Sequence, residues 1–354
     1  MYKNFIRPIL FMFGPETAHK ITSSLIRFAG WLPFGRLIIS MFCKVKHPSL
    51  QREVLGIKFP NPIGVAAGLD KDATFYQELS AMGFGFIEVG AVTPRPQPGN
   101  EKPRCFRLPK DRALINRFGF NNKGMDAMAE RLKAERKKGI VVGVNLGKNT
   151  DTPNENAATD YLKSFRTLYD SADYFVVNVS CPNVQNIGKL QNKDSIKEIL
   201  EPMFDFRRGQ NNYRPILVKV SPDLTFTQLD EIVDVLVETP LDGLVATNTT
   251  TSRDTLQTSS RKVNRIGRGG LSGAPLHKRA VDMVHYLRVK TEGKYPIIGV
   301  GGIMSVEDAQ EMLNAGADLI QLYTGFIYEG PSLVKNICKS LIKEQLPSFG
   351  KTSD

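Results

Sequence analysis

Residues 173–183 read Asp-Tyr-Phe-Val-Val-Asn-Val-Ser-Cys-Pro-Asn. Tyr174 to Val179 has the β-branched and aromatic composition of a strand buried on both faces, and it runs directly into polar residues stopped by Pro182. A strand carrying chemistry at its carboxyl end fits this peptide, and so does a plain Asn/Ser turn before a proline. The rest of the chain has to choose.

Outward from this stretch the same pattern recurs. Apolar runs at Ile63–Ala67, Phe86–Val89, Ile140–Val144, Tyr174–Val179, Ile216–Val220, Gly243–Ala246, Ile297–Val300 and Leu319–Leu322 read as strands. Segments of helical period separate most of them, including Ala157–Tyr169, Thr225–Val237, Leu276–Val289 and Val306–Ala315. Eight β-α units over roughly 290 residues predict an α/β protein whose parallel strands close into a β/α (TIM) barrel rather than an open doubly wound sheet, with ligands at the strands' carboxyl ends. Thr93 to Gly124, with five prolines, is too long for an ordinary connection and reads as a functional excursion over the barrel mouth.

The residues just beyond the strands share one character. They include Ala66-Ala67-Gly68-Leu69-Asp70-Lys71, Asn145 to Asn149, the Asn178 to Asn183 cluster, Lys219, Thr247-Asn248-Thr249, Gly299 to Gly302, and Tyr323-Thr324-Gly325. Amides, lysines and glycines on one rim suit an anionic ligand and a phosphate, whose usual seat in such barrels is the loops after the seventh and eighth strands. Gly269-Gly270-Leu271-Ser272-Gly273 strengthens a phosphate reading that glycine turns alone leave weak. Lys71 and Lys219 are placed to hold negative charge where it develops. Asn116, Asn178, Asn183 and Asn248 match a planar amide or pyrimidine ring better than a sugar or a metal. No His/Asp/Glu cluster suggests a catalytic metal, and no Gly-x-Ser-x-Gly elbow suggests a hydrolase.

Composition narrows the setting. The 354 residues carry a formal charge of +11, but Lys and Arg are scattered without a nucleic-acid motif, so an acidic small ligand or an anionic membrane surface explains the bias more simply. Four cysteines without CxxC or metal spacing imply neither disulfides nor zinc, and a reducing, cytoplasmic setting. The first forty-odd residues differ from the remainder of the chain: apolar segments at Phe5–Phe13 and Ile21–Trp31, parted by Gly14-Pro15, predict two short amphipathic helices, with a third apolar patch at Leu37–Phe42. They either cap the barrel or lie on a membrane surface. The division expected is residues 1–45 as an amphipathic helical segment, and 46–354 as the barrel.

Several motifs together carry a family resemblance: Asn61-Pro62-Ile63-Gly64 through Lys71, Val92 to Asn100, Pro103-Arg104-Cys105-Phe106-Arg107-Leu108, Ile115 to Asn122, and Gly269 to Gly273. With them the chain closely resembles the dihydroorotate dehydrogenases, specifically the membrane-associated, quinone-dependent class 2, over essentially its whole length. The resemblance implies one FMN per chain, oxidation of dihydroorotate to orotate in pyrimidine synthesis, and electrons passed to a membrane quinone. It implies FMN contacts from Ala67, Gly68, Leu69, Asp70, Lys71, Ala91, Asn145, Asn178, Lys219, Thr247, Gly273, Gly302, Tyr323 and Thr324. The pyrimidine falls to Lys71, Asn116, Arg117, Phe118, Gly119, Phe120, Asn178, Asn183, Asn248 and Thr249. The quinone falls to His19, Arg107 and Tyr323, under the N-terminal helices. A monomer bound peripherally at the cytoplasmic face of the cell membrane is expected. Two other readings share the barrel: a class 1 type enzyme using fumarate or NAD, and a non-catalytic flavin- or ligand-binding barrel.

Two residues depart from the class 2 pattern. The base is Cys181, the residue typical of class 1, where class 2 has serine; and Ala91 follows Gly90 where threonine is usual, which removes one expected flavin contact. The N-terminal extension and Arg117-Phe118-Gly119-Phe120 keep the resemblance with class 2. A thiol ionises near pH 8.5, far below an alcohol, and a neighbouring Lys71 favours the thiolate further. Reduction of the flavin by dihydroorotate, monitored by stopped-flow bleaching across pH, is therefore expected to rise and level off at lower pH than in Cys181→Ser, with Cys181→Ala losing most of the rate. An alanine variant that bleaches at the parent rate excludes Cys181 as the base.

Overall fold

The computed structural model describes residues 2–135, 139–180 and 190–345, and Cys181 and Asn183 lie outside them. The strands in chain order are β1 (Arg52–Val54), β2 (Ile57–Phe59), β3 (Ile63–Val65), β4 (Phe86–Val92), β5 (Cys105–Leu108), β6 (Ala113–Asn116), β7 (Val141–Leu146), β8 (Tyr174–Asn178), β9 (Ile216–Val220), β10 (Gly243–Ala246), β11 (Gly270–Gly273), β12 (Ile297–Val300) and β13 (Leu319–Leu322). Eight of them, β3, β4, β7, β8, β9, β10, β12 and β13, are parallel and close into a barrel, β13 pairing back to β3. These are the eight runs expected from the sequence. Each is wholly buried because helices cover the outside and side chains fill the inside.

The helices are α1 (Arg7–Met12), α2 (Pro15–Trp31), α3 (Gly35–Cys43), α4 (Tyr76–Ala81), α5 (Met125–Glu135), α6 (Ala157–Leu168), α7 (Lys193–Arg208), α8 (Phe226–Glu238), α9 (Ser260–Ile266), α10 (His277–Lys290), α11 (Val306–Asn314), α12 (Thr324–Glu329) and α13 (Ser332–Gln345). Their starts are legible: Thr225 and Gln228 form a reciprocal capping box on α8, and Ser305 accepts from Asp308 N at 3.1 Å to cap α11.

The barrel interior is plugged at the end where the strands begin. Phe59, Phe86 and Tyr174 fill it, with the Phe86 ring centroid 5.2 Å from Phe59 and 6.4 Å from Tyr174. Glycines make the room: a Cβ on Gly64 would stand 2.3 Å from the Phe86 ring, and one on Gly143 would stand 2.1 Å from Tyr174. The plug fills this end of the barrel among the described residues.

Two regions differ from the sequence reading. The Thr93–Gly124 excursion contains a hairpin, β5 with β6, onto which β11 adds as the third antiparallel strand. The glycine-rich 269–273 segment is thus mostly strand. Its glycines reflect close approach, since a Cβ on Gly273 would lie 2.3 Å from the Arg112 carbonyl oxygen. The N-terminal segment is a π-helical turn (Tyr2–Ile6) followed by three helices rather than two, the Leu37–Phe42 patch forming part of α3.

These helices are fastened at their edges. Arg36 pairs with Glu78 at 2.7 Å, Arg104 with Glu16 at 3.0 Å, and Tyr2 donates to the Ile327 carbonyl at 2.7 Å. The opposite faces are bare. Of the 18 large apolar side chains that are exposed among the described residues, 14 lie between Phe5 and Phe42, which concentrates them in one region instead of scattering them. No single described helix is long and apolar enough to cross a membrane, and α2 and α3 meet at a bend of 110°.

The tight interior generates a test. Gly143→Ala forces a methyl group into the fully buried Tyr174 ring, and the expected loss is about 1–3 kcal/mol in urea unfolding. A variant with the parent midpoint and slope means the ring has room to move.

Candidate active site

At the carboxyl ends of the strands a cleft opens, with about 950 Å³ of empty space including the solvent at its mouth. Every barrel strand sends residues toward it or stands just beneath it. Ala67, Gly68 and Lys71 follow β3, Ala91 closes β4, Asn178 ends β8, Lys219 lies in β9, Thr247, Asn248 and Thr249 follow β10, and Gly302 and Tyr323 follow β12 and β13, with Thr324 opening α12. The β5–β6 hairpin contributes Asn116, Phe118, Gly119 and Phe120 as a further wall, and β11 adds Ser272 and Gly273.

One side of the cleft is a glycine seat. Gly273 (φ +103) and Gly302 (φ +63) have left-handed backbones, and a Cβ on Gly302 would sit 2.6 Å from His277 N and 2.7 Å from the Gly273 carbonyl oxygen. Only glycine fits there. Ser272 Oγ lies 2.8 Å from Thr324 Oγ1, so two hydroxyls line the same side. The cleft also carries a charge and amides, Asn116 among them donating to the Gly270 carbonyl at 3.3 Å. Lys71 Nζ lies 4.9 Å from the Phe118 ring centroid, a cation over an aromatic face.

Below the mouth runs a buried polar chain. Asn145 Nδ2 donates to Glu88 Oε1 at 2.8 Å, Asn178 Nδ2 to Asn145 Oδ1 at 3.0 Å, and Asn248 Nδ2 to Ser180 Oγ at 3.0 Å. Gln321 Nε2 donates to Glu88 Oε2 at 2.6 Å. Asn145 therefore stands one layer under the cleft rather than on its wall.

Four further residues named from the sequence have side chains engaged elsewhere. Leu69 packs in the outer core. Asp70 turns away and accepts from Thr74 N at 2.7 Å and Phe75 N at 2.8 Å, tying the turn before α4. Burial pushes its carboxyl up to about 6, against the opposing pull of those N–H groups. Arg117 donates to the carbonyls of Ile266 (2.6 Å) and Arg268 (2.7 Å), fixing the hairpin to α9. Arg107 donates to the Phe13 carbonyl at 2.6 Å with its guanidinium 4.3 Å from the Phe11 ring, beneath α1.

His19, on α2, has its ring 6.2 Å from that of Phe75, and burial with the charge of Lys71 holds its imidazole below the usual range. Tyr323 lines the cleft and packs against the same Leu114–Met304–Tyr328 cluster as Phe11 of α1, so it stands between the barrel mouth and the N-terminal helices. Glu88, Ser272 and Gln321 were not singled out from the sequence. A charge inside Phe86-Ile87-Glu88-Val89 and an amide inside Leu319-Ile320-Gln321-Leu322 were the available signals. Leu276 and Ile303, which form an apolar wall, carried none.

The dihydroorotate dehydrogenase family model matches residues 49–345. This chain belongs to the dihydroorotate dehydrogenase family. It is 49% identical to a dihydroorotate dehydrogenase (quinone) of Christiangramia forsetii over 98% of this chain and all of that one. It is 46% identical to the Coxiella burnetii dihydroorotate dehydrogenase (quinone), covering 96% of this chain and 97% of the relative. Among solved structures, the Eimeria tenella enzyme crystallised with ferulenol superposes with a TM-score of 0.84 at 35% identity, covering 93% of this chain and 91% of that one. Family membership and the class 2 resemblance thus agree.

Asp70 gives a pH test. A carboxyl whose folded pKa lies above its unfolded value adds stability at low pH that is lost as pH rises, here between about 4 and 6. Asp70→Asn lacks that loss, so its stability relative to the parent is expected to improve by about 2–3 kcal/mol from pH 4 to pH 7 in denaturant titrations. Parallel pH profiles for the two proteins overturn the assignment.

Proposed function

We propose that this protein oxidises dihydroorotate to orotate and passes the electrons to a quinone. The observation that carries the reading is the cleft itself, which brings Lys71 and the amides of Asn116, Asn178 and Asn248 together with a glycine-lined seat at Gly273 and Gly302. Close approach of backbone at that seat, the hydroxyls of Ser272 and Thr324, and its place after β11, β12 and β13 fit the phosphate of FMN. Ala67, Gly68, Ala91, Lys219, Thr247 and Tyr323 would hold the rest of the cofactor, with Asn145 supporting from beneath. Bound there, FMN supplies a hydride acceptor and an electron relay.

The remaining chemistry belongs to side chains. Lys71 and the asparagine amides bind and orient the ring of dihydroorotate, whose donors and acceptors pair with amides and whose carboxylate pairs with a cation. Phe118 and Phe120 wall off water at the hairpin side. Cys181 Sγ takes the proton from C5, and Asn183 assists in holding the ring; both roles rest on the family resemblance. Lys219, almost fully buried at 5% exposure, stabilises negative charge that develops beside it.

The acceptor follows from the N-terminal helices. We assign residues 1–45 as the segment that meets the membrane surface, with His19, Arg107 and Tyr323 along the quinone's path to the cleft. The bare apolar face favours a lipid-soluble acceptor over fumarate or NAD, which need no such surface.

Purified protein supplied with dihydroorotate is expected to turn over with a short-chain quinone and not with fumarate or NAD. Phe28→Glu/Trp31→Glu/Phe42→Glu, all at exposed positions, is expected to keep flavin bleaching by dihydroorotate while losing co-sedimentation with anionic vesicles and turnover with a long-chain quinone. Vesicle binding unchanged in the triple variant rules out the membrane role of this face.

A further inference from the structure

Glu88 is fully buried inside the barrel and does not itself line the cleft. Its two oxygens accept from two amides: Asn145 Nδ2 at 2.8 Å and Gln321 Nε2 at 2.6 Å. An ionised carboxylate is acceptor-only, whereas an asparagine side chain presents a donor at one corner and an acceptor at the other and can pair either way round. A carboxylate at the end of a chain of amides therefore dictates the direction of each one.

The chain can be followed outward. Asn145, with its NH2 committed to Glu88, is left with its oxygen for Asn178, whose Nδ2 donates to it at 3.0 Å. Asn178, its NH2 now committed, is left with its oxygen for Asn248 Nδ2 at 3.3 Å and Ser180 N at 3.3 Å. Asn248 then presents its own oxygen to Thr249 N at 2.8 Å. Asn178 and Asn248 both line the cleft.

We propose that Glu88 is a positioning residue that sets the orientation of the Asn178 and Asn248 amides, and through them the hydrogen-bond pattern presented to the ring. This rests on the reading above that these two asparagines hold the substrate. Desolvating a carboxylate inside a barrel is costly, and a purely structural role would be served as well by an apolar residue. Glu88 imposes a direction on these ambivalent amides from beneath, in the same sense as the donor-only N–H groups of Ser180 and Thr249 above, and a reversed amide in a low-dielectric site leaves donor facing donor.

The test separates direction from packing. Glu88→Gln keeps the shape but can offer NH2 to Asn145, which lets the chain reverse; the KM for dihydroorotate is expected to rise about tenfold, with a smaller change in kcat. A parental KM in the single variant overturns the proposal. Neutron diffraction from deuterated parent holoenzyme tests it without any substitution: the deuterated amino group of Asn145 is expected to face Glu88, and the opposite orientation overturns it. Failure of the parent to oxidise dihydroorotate would count against the proposed function, while the neutron result reads the relay separately.

Discussion

The barrel is closed at one end by aromatic rings, and the rest of the molecule follows from that closure. Phe59, Phe86 and Tyr174 meet across the interior where the strands begin, each fully or almost fully buried. Gly64 and Gly143 leave room for rings that no other residue at those positions would admit. A filled interior at this end gives the barrel its packing energy and denies it a through-channel. The cleft lies at the opposite mouth, where the strand ends deliver polar side chains.

Between the plug and the mouth lies a polar layer, and its placement is constrained. Glu88, Asn145 and Gln321 sit inside a barrel where an unsatisfied polar group costs more than its hydrogen bond would return in water. Glu88 accepts from both amides, leaving only Gln321 Oε1 of this group without a hydrogen-bond partner among the described residues, and the chain of amides passes upward to Asn178 and Asn248. The transition from aromatic floor to polar layer to rim takes place within single strands: β4 begins with Phe86, turns polar at Glu88 and ends beside the cleft at Ala91.

The N-terminal helices are attached by a different logic. Ion pairs and backbone hydrogen bonds hold their margins to α4, α12 and the β5–β6 hairpin, while the apolar side chains of α1, α2 and α3 face outward. An exposed apolar surface of this extent is unfavourable in water and becomes favourable against a lipid surface. Tyr323 links this region to the cleft, since it lines the mouth and shares the Leu114–Met304–Tyr328 cluster with Phe11. His19 belongs to the same junction, within electrostatic reach of Lys71.

The eight strands, the helices between them and the rim at the carboxyl ends were legible in the sequence because a doubly buried strand needs a continuous apolar run and an amphipathic helix needs its period. Lys71, Asn178, Lys219 and Asn248 were legible for the same reason: each follows or interrupts such a run. Which way a side chain turns was not. Asp70 and Lys71 are adjacent in sequence, yet one ties the turn before α4 and the other lines the cleft, because adjacent residues in a turn leave in different directions. Arg117 lies next to Phe118 but reaches α9, far along the chain. The pairing of β11 with the β5–β6 hairpin joins segments about 150 residues apart, and no local period marks such a contact. Sequence determined which residues arrive at the mouth of the barrel; tertiary structure decided which of them face the ligand and which face one another, since that choice depends on partners that only the closed barrel brings within hydrogen-bonding distance.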